Sequence, residues 1–264
     1  MKYLKLLYIL FCFTFLSCQY TAKAQPTNAN NNTVDFNQLS QNFLLQIKEG
    51  QSTELIQKTL ATTSVDILDA ALNTNNKRLA FWVNIYNGYI QVILKEQPEL
   101  YKDRGSFFKK EQIQIAGEFI SFAKIEHGIL RKSQWEYGLG MIRKWFPNRF
   151  ERKLRVYKKD FRIHFALNCG AKDCPPVAIY DWERLEDQLN SSTRKFLSAT
   201  TTYNKTKNEV TVTPLFSWFR GDFGCNIGIK NVLKKNDQIP TTKKVTLNYK
   251  NYDWTLDLEN FIEL

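Results

Sequence analysis

Apolar residues at Phe36, Leu39, Phe43, Leu44 and Ile47 recur at helical spacing and predict an amphipathic helix over about 34–49. A second short helix is expected from Val65 to Leu72. From Lys77 to Lys95 the apolar positions (Leu79, Phe81, Trp82, Val83, Ile85, Tyr86, Ile90, Val92, Ile93, Leu94) lie almost all round the helical circumference. That pattern belongs to a helix buried inside a domain, and it stops before Pro98. Gln112 to Ile115 and Glu118 to Ser121 flank Ala116-Gly117 and read as a hairpin, after which Ser121 caps a short helix through Leu130.

Strand-like patterns are scattered through the second half. Phe161 to Leu167 mixes β-branched and aromatic residues ahead of Gly170 and reads as a strand entering a turn. Asp181 caps a helix over about 182–199, with Leu185, Leu189 and Phe196 inward. Glu209 to Thr213 is a strand stopped by Pro214, Leu215 to Phe219 a short aromatic helix before Asp222-Phe223-Gly224, and Val245 to Tyr249 a last strand. Helices first and scattered strands later predict an α+β fold. We expect one domain over 34–264, with a helix-rich N-terminal half and a central buried helix packed on a small, mostly antiparallel sheet.

The N-terminal residues carry a different pattern. Lys2 and Lys5 precede an apolar run, Leu6 to Leu16, that is shorter than the ~20 residues a membrane-spanning helix needs. Residues 1–24 therefore read as a signal peptide and the polar stretch 25–33 as a flexible linker. Two processing outcomes compete: cleavage after Ala22-Lys23-Ala24, or a lipobox at Phe15-Leu16-Ser17-Cys18 that would leave a lipid anchor on Cys18 as the protein's sole membrane attachment. Either predicts export to the periplasm or cell envelope, lipid-anchored or secreted.

Composition narrows the class. Of 264 residues, 43% are hydrophobic and 14% aromatic, enough to build a packed core, and no 20–50-residue period recurs, which removes solenoids and propellers. Losing Lys2, Lys5 and Lys23 lowers the formal charge from +11 to +8. Between Arg143 and Lys159 eight basic residues face Glu151 alone, a local +7 that would suit an anionic surface or be a merely solvated face. An exported chain without a nucleic-acid motif is not expected to bind nucleic acid.

The two histidines sit in the densest polar stretches, Glu126-His127-Gly128-Ile129-Leu130-Arg131 and His164-Phe165-Ala166-Leu167-Asn168-Cys169-Gly170-Ala171-Lys172-Asp173-Cys174. A His near two Cys in a Gly/Pro turn is a setting for a thiolate–imidazole pair. In an extended strand, His164 and Cys169 fall on opposite faces, so pairing would join Cys169 with His127 or His164 with Cys174. Glu126 would orient the base, and Arg131, Asn84 and Asn87 would hold substrate. The plainer readings are a hydrogen-bonded core His, packed or bridged Cys169 and Cys174, and amides on a buried helix holding a loop carbonyl. The C-x4-C spacing without H-x3-5-H lies outside the strong zinc patterns, and no Gly-rich phosphate loop or dinucleotide fingerprint occurs, so no metal or cofactor is expected.

Ala80 to Asn87, Ile125 to Arg131, His164 to Pro175 and Tyr252-Asp253-Trp254 together resemble the family called domain of unknown function 547 over roughly residues 75–255. The resemblance implies no activity. It does place relatives among both exported bacterial and intracellular plant proteins, and the second setting argues against an obligatory disulfide. A fainter similarity is to transglutaminase-like and papain-like cysteine hydrolases, in which a Cys precedes the helix Trp; here Phe81 precedes Trp82. Two functions are therefore carried forward. One is an envelope hydrolase or acyl-transfer enzyme using Cys and His on amide or ester bonds of a peptide or envelope polymer. The other is a non-catalytic binding module that uses the same polar cleft and the Arg143–Lys159 patch.

Overall fold

The computed structural model describes residues 34–264, so the expected signal peptide, its lipobox and the linker lie outside the described residues. Val34–Leu264 forms one compact α+β unit. Helix α1 (Phe36–Lys48) starts where the Asp35 carboxylate accepts the Asn37 and Gln38 N–H groups, and α2 (Glu54–Thr62) and α3 (Val65–Ala71) follow. The second of these is absent from the sequence expectation. Only Ile56 and Leu60 of α2 are buried, too few to show a helical period.

Helix α4 (Asn75–Glu96), capped by Thr74, is the centre of the larger of two cores, with Phe81, Trp82, Val83, Ile85 and Ile90 without solvent contact. It packs against α1 and against a 3-10 turn (Pro98–Asp103) that leads into α5 (Arg104–Lys109). The hairpin β1 (Ile113–Ile115) and β2 (Glu118–Ile120) turns through Ala116 and Gly117, both at positive φ, and sends Ile113, Ile115 and Ile120 into the same core. Ser121 Oγ then accepts the Lys124 N–H at 3.1 Å, and the expected short helix is wound as a π-helix, Lys124–Leu130.

Past α6 (Arg149–Leu154), residues Phe161–Phe165 form a 3-10 turn, which corrects the expected strand over 161–167. Asp160 caps the turn, accepting the Arg162 N–H at 2.9 Å. Ile163 to Asn168 are all buried, so their backbone groups need partners that no sheet supplies here. Side chains on α4 supply them. Asn87 donates to the Ala166 carbonyl (2.9 Å) and accepts the Asn168 N–H (2.8 Å). Asn84 does the same for Tyr180, donating to its carbonyl (2.8 Å) and accepting its N–H (2.9 Å). Gln91 accepts the Glu259 N–H at 2.8 Å. Three amides on one buried helix thus each grip a separate stretch of chain, as an edge strand would.

Helix α7 (Leu185–Thr200) buries Leu185, Leu189 and Phe196 as its spacing predicts. The second sheet has the order β3 (Thr202–Asn204), β4 (Glu209–Val212), β5 (Thr246–Tyr249), with β3/β4 antiparallel and β4/β5 parallel. Together with α8 (Leu215–Trp218) and α9 (Cys225–Lys235) it covers a smaller core around Phe165, Phe216 and Phe223. Gly228 lets α9 close on the preceding turn, because a Cβ there would lie 1.8 Å from the Phe223 carbonyl oxygen. The C-terminal segment runs extended along residues 170–177, with Lys172 N–H to Thr255 O and Asp257 N–H to Gly170 O both at 2.8 Å.

Candidate functional site

A cavity of about 290 Å³ opens where the two cores meet. The π-helix contributes Glu126 and His127, the 3-10 turn His164, the following loop Cys169 and Cys174, and α5 Arg104, Phe108 and Lys109. Trp218 and Phe219 come from α8 and its end, and Tyr252 and Trp254 from the C-terminal segment. Of the expected site residues, Glu126, His127, His164, Cys169 and Cys174 therefore border one space, while Asn84, Asn87 and Arg131 do not.

Those three expectations are corrected. Asn84 and Asn87 are wholly buried and bonded to backbone, so their amides have no capacity to hold substrate. Arg131 is buried behind the cavity in a network of charges. Its Nε donates to Asp222 Oδ2 at 2.6 Å and its Nη1 to His127 Nδ1 at 2.8 Å. The same Asp222 oxygen accepts from His164 Nε2 at 3.0 Å, and Lys159 Nζ reaches Asp222 Oδ1 at 2.9 Å. Phe219 is faced by both His164 (rings stacked, 3.9 Å between centroids) and the Arg131 guanidinium (4.7 Å).

The network fixes the protonation of both imidazoles. An Arg N–H pointing at His127 Nδ1 makes that nitrogen an acceptor, so the proton of the neutral ring is on Nε2. Burial lowers the His127 pKa, against an opposing pull from Glu126, with Arg131 lowering it further. Burial likewise lowers His164, outweighing its hydrogen bond to Asp222. Burial works to raise Asp222, but the His164 hydrogen bond, Arg131 and Lys159 prevail and hold its carboxyl well below the usual range. His127 is therefore a hydrogen-bond donor through Nε2, not the base expected from its place beside Glu126 and two cysteines.

These shifts share one sign. Each group binds its proton less readily folded than unfolded, so each contributes stability above its unfolded value, 6.5 for the histidines and 3.8 for Asp222, and loses it as pH falls. Thermal melts are expected to show stability declining once pH drops below the ordinary histidine value, before most carboxylates titrate. A Tm independent of pH between about 7 and 5, the range in which histidines titrate, would contradict neutral buried imidazoles.

The free thiolate expected at Cys169 or Cys174 is also corrected: the two sulfurs are bonded to each other. Cys174 Sγ accepts the Cys169 N–H at 3.0 Å and the Tyr252 hydroxyl at 3.2 Å. Burial raises the Tyr252 phenol, which keeps that proton on the oxygen. A zinc site from His127, His164, Cys169 and Cys174 is not formed, and among the described residues no three His, Cys, Asp or Glu side chains gather as metal ligands. The rest of the wall is aromatic. Trp218 and Trp254 stack at 5.6 Å, Tyr252 lies 4.6 Å from Trp254, and the Arg104 guanidinium covers Trp254 at 4.8 Å. Glu136 joins the lining and is neutralised by Lys109 at 3.3 Å, whereas among the described residues no Lys or Arg pairs with the Glu126 carboxylate, its neighbour at 3.6 Å being the neutral His127.

Asp222, Trp218 and Glu136 had no role assigned from sequence, and Lys159 was read only as part of the basic patch. Asp222 was visible as a lone acid in the aromatic run Phe216 to Phe223, a position where a buried carboxylate requires cations. No curated protein and no solved structure matches this chain, so the faint likeness to transglutaminase-like and papain-like hydrolases gains no support. A family model does match, over part of α3 through most of α7, and it includes both histidines and both bonded cysteines. The model that matches, over residues 70–197, is that of the family described as Protein of unknown function, DUF547.

Proposed function

We propose that this chain is an exported binding module whose cavity takes a segment of peptide or envelope polymer, its flat apolar part against Trp254 and Tyr252 and an amine or hydroxyl on Glu126. One observation carries this reading: among the described residues the cavity has aromatic walls and a carboxylate without a paired Lys or Arg, but no thiolate placed as a nucleophile, because the sulfurs are bonded together and each imidazole is tied to Arg131 or Asp222. The charged N-terminus with its short apolar run, and a disulfide, both suit an oxidising compartment outside the cytoplasm. Mass spectrometry of the native N-terminus tests export: a start at Gln25 or a lipid on Cys18 supports it, and an intact Met1-Lys2 on a cytoplasmic protein contradicts it.

Binding is tested by tryptophan fluorescence titrated with peptidoglycan fragments that carry free amines, without reductant. Saturable binding is expected, weakened about tenfold in Glu126→Gln, which corresponds to ~1.4 kcal/mol for one charge-assisted hydrogen bond. Turnover of amide or ester substrates under these oxidising conditions would defeat the binding-module reading.

A second reading is favoured by the surroundings of Cys174. Two hydrogen-bond donors on its sulfur are of the kind that stabilise a thiolate, and His127 borders the same cavity. A dithiol reductant would cleave the S–S bond, supplying two electrons and two protons while closing to its own disulfide. The chain would then be a thiol-dependent hydrolase or acyl-transfer enzyme. Alkylation by iodoacetamide near neutral pH after reduction decides between the readings: Cys174 outpacing the exposed Cys225 favours the enzyme, and equal rates favour the binding module.

A further inference from the structure

We infer that the loop between the π-helix and α6 is a second functional surface, one that docks the protein onto an anionic lipid bilayer. At its tip Trp145 and Phe146 are 84% and 86% exposed, and Met141 and Ile142 beside them are about half exposed. Leu55, Ile67, Phe119 and Ile227 are exposed as well, but each on a separate element, whereas four such side chains on one short segment form a surface that lacks its partner.

The loop is held in this form by backbone bonds. Trp135 N–H donates to Ile142 O at 2.9 Å, Lys144 N–H to Ser133 O at 2.7 Å, and Gly221 N–H to Leu139 O at 2.7 Å. Exposure is thus a property of a pinned loop, and little ordering entropy is lost on docking.

Charge identifies the partner. Arg143, Arg152 and Arg155 border one surface concavity of about 680 Å³ with Trp145 and Phe146. The acids nearby are used elsewhere: buried Glu151 holds Lys144 at 3.1 Å, and Asp66 on α3 pairs with Arg149 and Lys153. Arg152 and Arg155 instead donate to neutral groups, the Pro147 carbonyl and the Ser133 hydroxyl. An apolar tip with guanidinium groups beside it matches the layers of a membrane interface, with acyl chains for the tip and anionic headgroups for the collar. Four apolar side chains cover too little area for a stable protein–protein interface of ~800 Å² per partner. No described helix is long and apolar enough to cross a membrane, so the contact is interfacial.

The test is co-sedimentation of the full chain with vesicles of phosphatidylcholine alone or with about one third phosphatidylglycerol. The wild-type chain is expected to partition about tenfold more strongly onto the anionic vesicles, an advantage that shrinks as salt is raised. Trp145→Ala with Phe146→Ala should lower binding to anionic vesicles at least about tenfold. Arg143→Glu with Arg152→Glu should abolish the anionic preference, since each charge reaching the surface contributes roughly fivefold. All variants keep residues 1–33, so any contribution of that segment cancels, and all are surface changes whose melting temperature and cavity titration should match wild type. Equal vesicle binding by wild type and both variants would overturn the proposal. So would a chain that ignores vesicles while its Arg143 and Arg152 retain a soluble polyanion.

Discussion

Asp222→Asn is expected to destabilise the protein by about 3–5 kcal/mol, because it leaves the buried Arg131 guanidinium without its counter-charge. The aspartate is almost completely buried, and its two oxygens serve Arg131, His164 and Lys159 together. An amide of the same shape keeps one acceptor and loses the charge. The consequence reaches the cavity, because Arg131 joins Asp222 to His127 and so sets which nitrogen of that ring carries the proton. Denaturant unfolding measures the first effect, and the pH dependence of stability the second: the variant should lose the acid-side decline that Asp222 contributes. A midpoint shift equivalent to less than about 1 kcal/mol would mean that solvent, not Asp222, compensates Arg131.

The network also shows where sequence reading stops. Helix α4 was readable because apolar residues cover its whole circumference, and the hairpin because Ala116-Gly117 divides two alternating runs. Both are local signals. Residues 161–167 were misread for a physical reason: a short, mostly buried run of aromatic and β-branched residues has the same composition whether its backbone bonds go to a strand or to side chains. Here they go to Asn87, which lies 79 residues from Ala166. Helix α9 was not anticipated, since Gly228 and two asparagines lower its propensity and Ile227 points to solvent. The two polar stretches with histidines did mark the cavity, but the role of each ring depends on Asp222, which is 58 residues beyond His164 and 91 beyond Arg131. Periodicity carries no information about such pairings. What could be read was the cost: polar groups within apolar stretches need partners, and Asn84, Asn87, Asp222 and the Nε and Nη1 groups of Arg131 found them.

Trp82→Ala is expected to cost a similar ~3–5 kcal/mol, for the opposite kind of reason. Trp82 has no solvent contact and meets Phe81 and Phe150 edge-on, at 5.0 Å and 6.3 Å between ring centroids. Truncation would leave a void at the middle of α4 that rigid neighbours on α6 and α4 itself cannot refill. The indole also has a defect, because its Nε1–H has no partner among the described residues. An unpaired buried donor costs about 1–3 kcal/mol, so Trp82→Phe gives up ring volume but removes that penalty. The two terms nearly cancel, and Trp82→Phe should stay within about 1 kcal/mol of wild type in denaturant melts. If Phe costs as much as Ala, packing of the fused ring dominates and the unpaired N–H is of no energetic consequence. If Ala leaves the midpoint unchanged, α4 is not the centre of the core. The helix also carries Asn87, so a void beneath it should loosen its grip on Ala166 and Asn168, between His164 and Cys169, and weaken ligand binding in Trp82→Ala but not in Trp82→Phe.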